Sequence, residues 1–183
     1  MGTITTAAAR VGHPTPGRAA DPLAAAARPG SAAMVVAGRY LALLLVANLA
    51  WEVVQLPLYT LCSDGRPGEI AWAVLHCTAG DGVIGALSLG GAVLLTGAWG
   101  WPAQAFGRVV LAATMLGVGA TVALEWLNVE LWGSWAYAAA TPRLPPLGTG
   151  LSPVLQWLLL PPLCFLAAHR LARVSGPALG RLP

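Results

Sequence analysis

The sequence has little charge and no lysine, and this low charge argues against a soluble globular domain and against a disordered chain. Only 9% of its 183 residues are charged, whereas an ordinary soluble domain has about a quarter. With 57% apolar residues, the chain is also too hydrophobic for intrinsic disorder, which requires low hydrophobicity and high charge density. The composition therefore predicts a small integral membrane protein.

Cysteine and histidine are scarce as well, with three residues of each. Cys62, Cys77 and Cys164 form no CxxC pair and no cluster with histidine, which argues against a zinc site and a disulfide-exchange enzyme. A disulfide bridge between Cys62 and Cys77 is left as an alternative to two free thiols. The chain also has no GxSxG, HExxH or P-loop motif. We expect no metal and no cofactor.

The ten basic residues are all arginine, and the formal net charge is +3. They lie at the ends of apolar segments, with no basic run interleaved with aromatic residues, so we expect no nucleic-acid partner. The arginines instead predict an orientation, because cytoplasmic loops carry an excess of positive charge. Eight of the ten fall on one side if both termini are cytoplasmic: Arg10, Arg18, Arg28, Arg39, Arg108, Arg170, Arg173 and Arg181. The expected location is the bacterial inner (cell) membrane.

Four apolar segments are long enough to cross a hydrocarbon core, which takes roughly 20 helical residues. They run from about 39 to 58, 70 to 95, 109 to 127 and 153 to 171. The pattern predicts an all-α fold, an integral membrane bundle of four transmembrane helices within residues 33–174. A flexible N-terminal tail (1–32) and a C-terminal tail (175–183) flank it. Pro161 and Pro162 predict a kink in the fourth helix.

The segment from Glu130 to Gly150 is interrupted too often by proline and glycine to cross the membrane. We expect it to cap the outer face as an interfacial or re-entrant segment, whose backbone must be satisfied by protein or water.

Ionisable groups inside the spans are the strongest functional signal, because each costs about 2.5–3.5 kcal/mol to insert. Glu52, His76, Asp81 and Glu125 are such groups, and in the predicted orientation all four lie in the outer half of the membrane. The inner half is almost purely aliphatic by comparison. The shared depth predicts a polar pocket with these four residues as its catalytic groups.

Helical spacing adds neighbours to this pocket. Asn48 and Gln55 share one face of the first span with Glu52, at i, i+4 and i+7. The expected substrate-binding residues are the amide and aromatic side chains near the four ionisable groups: Asn48, Trp51, Gln55, Trp126, Asn128, Trp135, Tyr137 and Gln156.

Small residues four apart predict how two spans pack, since such ridges let helices approach closely. One ridge precedes Glu125 and turns it towards the bundle; it consists of Ala113, Gly117 and Thr121. The other lies on the second span and consists of Gly82, Ala86 and Gly90.

Three functions fit such a pocket. In the first, Glu52 and Glu125 form an acid–base pair, with His76 and Asp81 as partners, that isomerises or cyclises an apolar, isoprenoid-like lipid. Nearby tryptophans would then stabilise a carbocation. The second function is a cation- or proton-coupled transporter component, and the third is a non-catalytic subunit of a membrane complex. Because the polar groups stop at the midplane, a pocket is favoured over a through-pathway.

The expected partners are the bilayer and an apolar lipid or small molecule, and a homo-oligomer or a larger membrane complex stays open.

Three stretches resemble a family of small bacterial multi-pass membrane proteins: NLAWEVVQLPLY, HCTAGDGVI and EWLNVELWGSWAYAAATPRLPPLGTGLSPVLQW. The resemblance covers about residues 40–165 and implies the four-helix architecture. A looser likeness is to sterol-isomerase-type membrane bundles, which also gather His, Glu and Trp from several spans. Glu125 followed by Asn128 resembles their Glu-x-x-Thr arrangement, although Asn replaces Thr and the early span has no His–Glu pair four apart.

Overall fold

Four long helices make up most of the chain between residues 29 and 174, the part that the computed structural model describes (side chains for residues 32–174). In chain order the helices are α1 (Pro29–Gln55), the short α2 (Leu61–Asp64), α3 (Pro67–Thr96), α4 (Phe106–Trp126) and α5 (Leu151–Val174). A 3₁₀ turn (Leu56–Leu58) follows α1, and a π-helical turn (Leu127–Leu131) follows α4.

Within the described residues, four helices are long and apolar enough to cross a membrane: Ala32–Leu58, Pro67–Thr96, Phe106–Leu131 and Leu151–Val174. The prediction of an all-α chain with four helices of membrane-spanning length is therefore confirmed. Each helix extends beyond its predicted apolar segment, and α1 begins at Pro29, inside the predicted tail. The rest of that tail and the predicted C-terminal tail lie outside the described residues.

Local chemistry fixes both ends of α3. Proline suits the first turn of a helix, and the backbone N–H of Arg66 donates to Glu69 Oε2 at 3.0 Å, which satisfies a free donor at the helix start. At the other end Gly97 adopts a left-handed conformation, with φ of 61°. This is the usual C-terminal stop, because glycine has no Cβ to penalise that conformation.

The four long helices form an up-down-up-down bundle in which α1 and α4 each pack against both α3 and α5. Tyr40 of α1 stacks on Phe165 of α5 with ring centroids 3.6 Å apart, and Trp101 and Phe106 meet the same ring edge-on. These aromatic contacts close one end of the bundle. We call the other end, where α1 and α4 finish and α3 and α5 begin, the cavity end.

The ridge on α4 is confirmed. Ala113, Gly117 and Thr121 are all buried, and Gly117 packs so closely on Trp157 of α5 that an added Cβ would collide with the indole ring. A glycine is therefore required at the point where α4 and α5 approach each other.

The predicted ridge on α3 is wrong. Ala86 and Gly90 are exposed, because Gly82 already lies at the edge of the buried face of α3 and each further four-residue step turns about 40° away from that face. Glycines still mediate the approach of α3 to α1, since a Cβ on Gly82 or Gly85 would meet the side chains of α1 leucines.

The segment between α4 and α5 crosses the cavity end and pairs with the chain that follows α1. Thr60 N donates to Ala136 O at 3.0 Å, and Ala138 N donates to Leu58 O at 2.9 Å. Two short strands, β1 (Arg143–Leu144) and β2 (Thr149–Gly150), form an antiparallel hairpin in it. Protein groups thus satisfy much of the backbone of this segment, which we call the cap.

Cys62 and Cys77, whose pairing the sequence leaves undecided, are both free cysteines. Pro161 and Pro162, which predict a kink, lie inside α5, and the helix continues through them. The half of the bundle away from the cavity end was expected to be almost purely aliphatic. It contains three buried hydroxyl-bearing side chains, those of Tyr40, Ser88 and Thr114.

Candidate functional site

A cavity of about 330 Å³ lies at the cavity end, lined by residues of all four long helices. Its volume is near the lower limit of ordinary small-molecule sites. Three carboxyl groups line it, each on a different helix: Glu52 on α1, Asp81 on α3 and Glu125 on α4. The residues singled out by their shared depth are therefore brought together.

Gln156 of α5 connects two of these carboxyl groups and is only 2% exposed. Its Nε2 atom donates to Asp81 Oδ2 at 2.9 Å, to Glu52 Oε1 at 3.3 Å and to Asn48 Oδ1 at 3.3 Å. Because a side-chain amide has two N–H groups, three acceptors share them. Asn48 does not line the cavity and instead supports Gln156 from behind.

Glu52 has a second donor on its own helix, since Gln55 Nε2 donates to Glu52 Oε1 at 2.9 Å. Ser152 Oγ then donates to Gln55 Oε1 at 2.8 Å, and Trp51 Nε1 donates to Ser152 Oγ at 3.1 Å. This chain of hydrogen bonds fixes Glu52 between α1 and α5. Trp51 therefore holds the wall of the cavity and is not part of its lining.

Glu125 is held by the cap. Its Oε2 atom accepts hydrogen bonds from the Tyr137 hydroxyl and from Trp135 Nε1, the latter at 3.5 Å. The Tyr137 hydroxyl in turn accepts from Gly150 N at 2.8 Å. Burial, with the neighbouring Glu125, raises the pKa of Tyr137, so its hydroxyl stays protonated and remains a donor.

On both glutamates the hydrogen bonds converge on a single oxygen, Oε1 of Glu52 and Oε2 of Glu125. Asp81 likewise accepts from Gln156 through Oδ2. The second oxygen of each carboxyl group is left able to accept a hydrogen bond from a bound molecule.

The cavity has a buried floor and an open side. Asp81, Thr121, Gln156 and Trp157 form the floor, with exposed fractions of 9%, 6%, 2% and 1%. The lining residues that are exposed lie on α3, on α4 and just after α4: His76, Gly80, Leu124 and Trp132. The mouth therefore lies between α3 and α4, on the side of the bundle.

His76 lies at this mouth and not among the buried groups. Its side chain is exposed, and its ring stacks on Trp72 with centroids 5.6 Å apart. It lies five positions before Asp81, so the two side chains leave α3 in different directions. Asp81 points inwards and His76 outwards.

The predicted binding residues fall into three groups. Gln55, Asn128, Trp135 and Gln156 line the cavity. Asn48 and Tyr137 lie outside the lining but are hydrogen-bonded to residues of it, and Trp51 is connected to it through Ser152. Trp126 is turned away, with 38% of its side chain exposed, because the step from Glu125 is about 100° around the helix.

Sequence reasoning missed several lining residues. Tyr59 and Trp132 have the pattern of interfacial aromatic residues, yet both line the cavity. Thr121 lies four residues before Glu125 on the same face of α4, and this spacing was a usable signal. Trp157 follows Gln156 directly, and no periodicity marks it as a floor residue.

These features define a protein with four helices of membrane-spanning length that enclose an acidic cavity at one end of the bundle. Comparison of the chain with protein-family models, curated proteins and solved structures finds no match. Among the residues with described side chains, no group of three or more His, Cys, Asp or Glu is placed to hold a metal ion. Function has to be inferred from the chemistry of the site.

Proposed function

We propose that this protein binds an apolar, isoprenoid-like lipid in the cavity and isomerises or cyclises its double bonds by acid–base catalysis. The observation that carries the proposal is the convergence of Glu52, Asp81 and Glu125 from three helices on one cavity. Carboxyl groups are expensive to place inside a membrane bundle. Carboxyl groups held in apolar cavities are well suited to proton transfer.

Glu52 and Glu125 are the proposed acid–base pair. One of them, as the carboxylic acid, adds its proton to a C=C bond and leaves a carbocation on the neighbouring carbon. The other, as the carboxylate, removes a proton from an adjacent carbon, so the double bond moves and the lipid gains no net proton. In a cyclisation, a second double bond forms a C–C bond with the carbocation before that proton leaves.

Aromatic side chains and exchange with water complete the cycle. Trp135 and Trp157 line the cavity, and their rings stabilise the carbocation through cation–π attraction. After turnover the second carboxyl group loses its proton and the first regains one by exchange with water at the cavity end of the bundle, with His76 as a partner.

The lateral mouth supports an apolar ligand. In a bundle that crosses a membrane, an opening between α3 and α4 faces the acyl chains, so a lipid enters without passing through water. A cavity of about 330 Å³ encloses only one end of a long isoprenoid, and the remainder of the chain stays in the bilayer. With both termini in the cytoplasm, as the arginines predict, the mouth opens to the outer leaflet of the inner membrane.

The test is mass spectrometry of the lipids that co-purify with the wild-type chain and with the double variant Glu52→Gln/Glu125→Gln. Asp64→Asn/Glu130→Gln is the matched control, since it neutralises two exposed carboxylates outside the cavity. We expect a defined isoprenoid-like species in the wild type and the control, and its loss or chemical alteration in the site variant. Identical bulk phospholipid in all three samples would contradict the proposal and favour a transporter component or a non-catalytic subunit.

A further inference from the structure

We infer that the cavity recognises an uncharged lipid alcohol, whose hydroxyl group binds on the floor between Asp81 and Thr121, and that it excludes lipid phosphates. This inference rests on the proposed function, because it names the polar group of the lipid that is bound.

The first observation is the hydroxyl group of Thr121 at the cavity floor, which is unpaired within the described residues. Its side chain lines the cavity and is 6% exposed, yet its Oγ1 atom has no hydrogen-bond partner within the described side chains and backbone. Threonines on helices usually satisfy such a hydroxyl through the preceding turn. Thr78 and Thr96 of α3 do so, each donating to the carbonyl four residues earlier at 2.7 Å. A buried hydroxyl that forgoes this bond, in a residue that lines a cavity, is a candidate partner for a ligand.

The second observation is the remaining acceptor capacity of the Asp81 carboxyl group. Gln156 donates to its Oδ2 atom, and the Trp157 side chain is a second neighbouring donor; because a carboxylate has about four acceptor positions, Oδ1 can still accept a hydrogen bond. An alcohol is both a donor and an acceptor, so one hydroxyl group donates to Asp81 Oδ1 and accepts from the hydroxyl of Thr121. A hydrocarbon without the hydroxyl leaves the Thr121 hydroxyl without a partner and adds no bond to Asp81 Oδ1, which a buried polar site penalises strongly.

The charge of the cavity excludes phosphorylated lipids. Three carboxyl groups line it, and no arginine does. Arg143, the arginine over the Tyr137 ring at 4.9 Å, is exposed and lies outside the lining. A phosphate or diphosphate would bring further negative charge into a site without the Arg or Lys partners that phosphate recognition relies on.

The test compares three probes with one hydrocarbon skeleton: farnesol, farnesene and farnesyl diphosphate. The full chain is reconstituted in phosphatidylcholine nanodiscs, and equilibrium binding is measured against empty nanodiscs, which account for partitioning into lipid. We expect farnesol to bind at least about tenfold more tightly than either of the other two. Thr121→Val should abolish this preference, and Thr121→Ser, which keeps the hydroxyl, should retain it.

Thr114→Val is the matched control. Thr114 is also a buried threonine of α4 whose hydroxyl has no partner within the described residues, but it does not line the cavity. We expect this variant to keep the preference for farnesol. An equal loss in the two valine variants would overturn the inference.

The binding data distinguish a failure of the alcohol inference from a failure of the proposed lipid-binding function. Farnesene binding as tightly as farnesol, or farnesyl diphosphate binding more tightly, would overturn the alcohol inference and leave lipid binding intact. Binding of none of the three probes would overturn the inference and the proposed function together.

Discussion

The Nε2 atom of Gln156 lies 2.9 Å from Oδ2 of Asp81, although α5 and α3, which carry them, are not neighbours in the packing order of the bundle. The same amide reaches Glu52 and Asn48 of α1. One buried side chain thus joins three helices at the floor of the cavity, and it serves both the fold and the site.

Gln156→Leu should lower the free energy of unfolding by about 1–3 kcal/mol, because the buried acceptors around it lose their shared donor. The measurement is denaturant-induced unfolding in detergent micelles. Gln104→Leu is the control, since Gln104 is an exposed glutamine of the loop before α4. Equal stability of the two variants would show that the amide network adds nothing.

Gly117→Ala should destabilise the bundle by about 1–3 kcal/mol, because the new methyl group overlaps the Trp157 ring. Gly119→Ala is the control, since a Cβ there meets no atom within 4 Å. It should be neutral or slightly stabilising, because alanine has the higher helix propensity. The readout is the midpoint of thermal unfolding in detergent, and a larger loss at position 119 would contradict the packing described.

Gly80→Leu should block the cavity without harming the fold. Gly80 is an exposed residue of the mouth, and an added Cβ meets nothing within 4 Å, so a leucine side chain extends across the opening. Gly90→Leu provides the control on the same helix, with equal free space but outside the cavity. Farnesol binding in nanodiscs should fall at least about tenfold only in Gly80→Leu, and unchanged binding would place the entrance elsewhere.

Tyr137→Phe should loosen the cap. The variant removes the acceptor of the Gly150 amide, and losing about 1 kcal/mol makes that amide exchange with deuterium about fivefold faster. The Gly148 amide, which donates to Leu144 O at 2.9 Å, is an internal control in the same hairpin and should be unaffected. Unchanged exchange at Gly150 would mean that the hydroxyl does not hold the cap.

Cys62 tests the orientation. Its thiol is exposed beside the cap, whereas Cys77 is half-buried in the cavity lining and Cys164 is buried in α5. In a Cys77→Ser background, a membrane-impermeant maleimide should label the chain in right-side-out vesicles and not in inverted ones, and Cys62→Ser should remove the label. Labelling only in inverted vesicles would reverse the orientation and place the mouth in the inner leaflet.

The four long helices and the three carboxyl groups of the cavity could be predicted from the sequence, because both depend on properties of single segments of the chain. Apolar length determines a span. The cost of an ionisable group inside it makes Glu52, Asp81 and Glu125 conspicuous. Bounds were less predictable, since helix ends depend on caps such as Arg66–Glu69 and on polar turns that hydropathy does not register.

Contacts between distant segments were not predictable from spacing. Nothing in the chain indicates that Tyr137, in a proline-rich connection, bonds to Glu125 at the end of α4. Periodicity also gives only approximate directions, because small rotations accumulate along a helix. Gly90 therefore faces open space although the four-residue spacing predicts a packing ridge. Trp126 does not line the pocket for a different reason, because it follows Glu125 directly and leaves the helix about 100° away from it.

The packing of Trp157 against Gly117 closes the floor of the cavity. On the far side of that floor the helices carry hydroxyl groups, such as those of Ser88 and Thr114. Among residues 32–174, every carboxyl group lies at the floor or on its cavity side. A chain of acids open to both faces would let protons flow down the electrochemical gradient of an energised membrane. In a bundle that crosses such a membrane, the closure at Trp157 leaves no continuous path of acidic side chains between the two faces within the described residues.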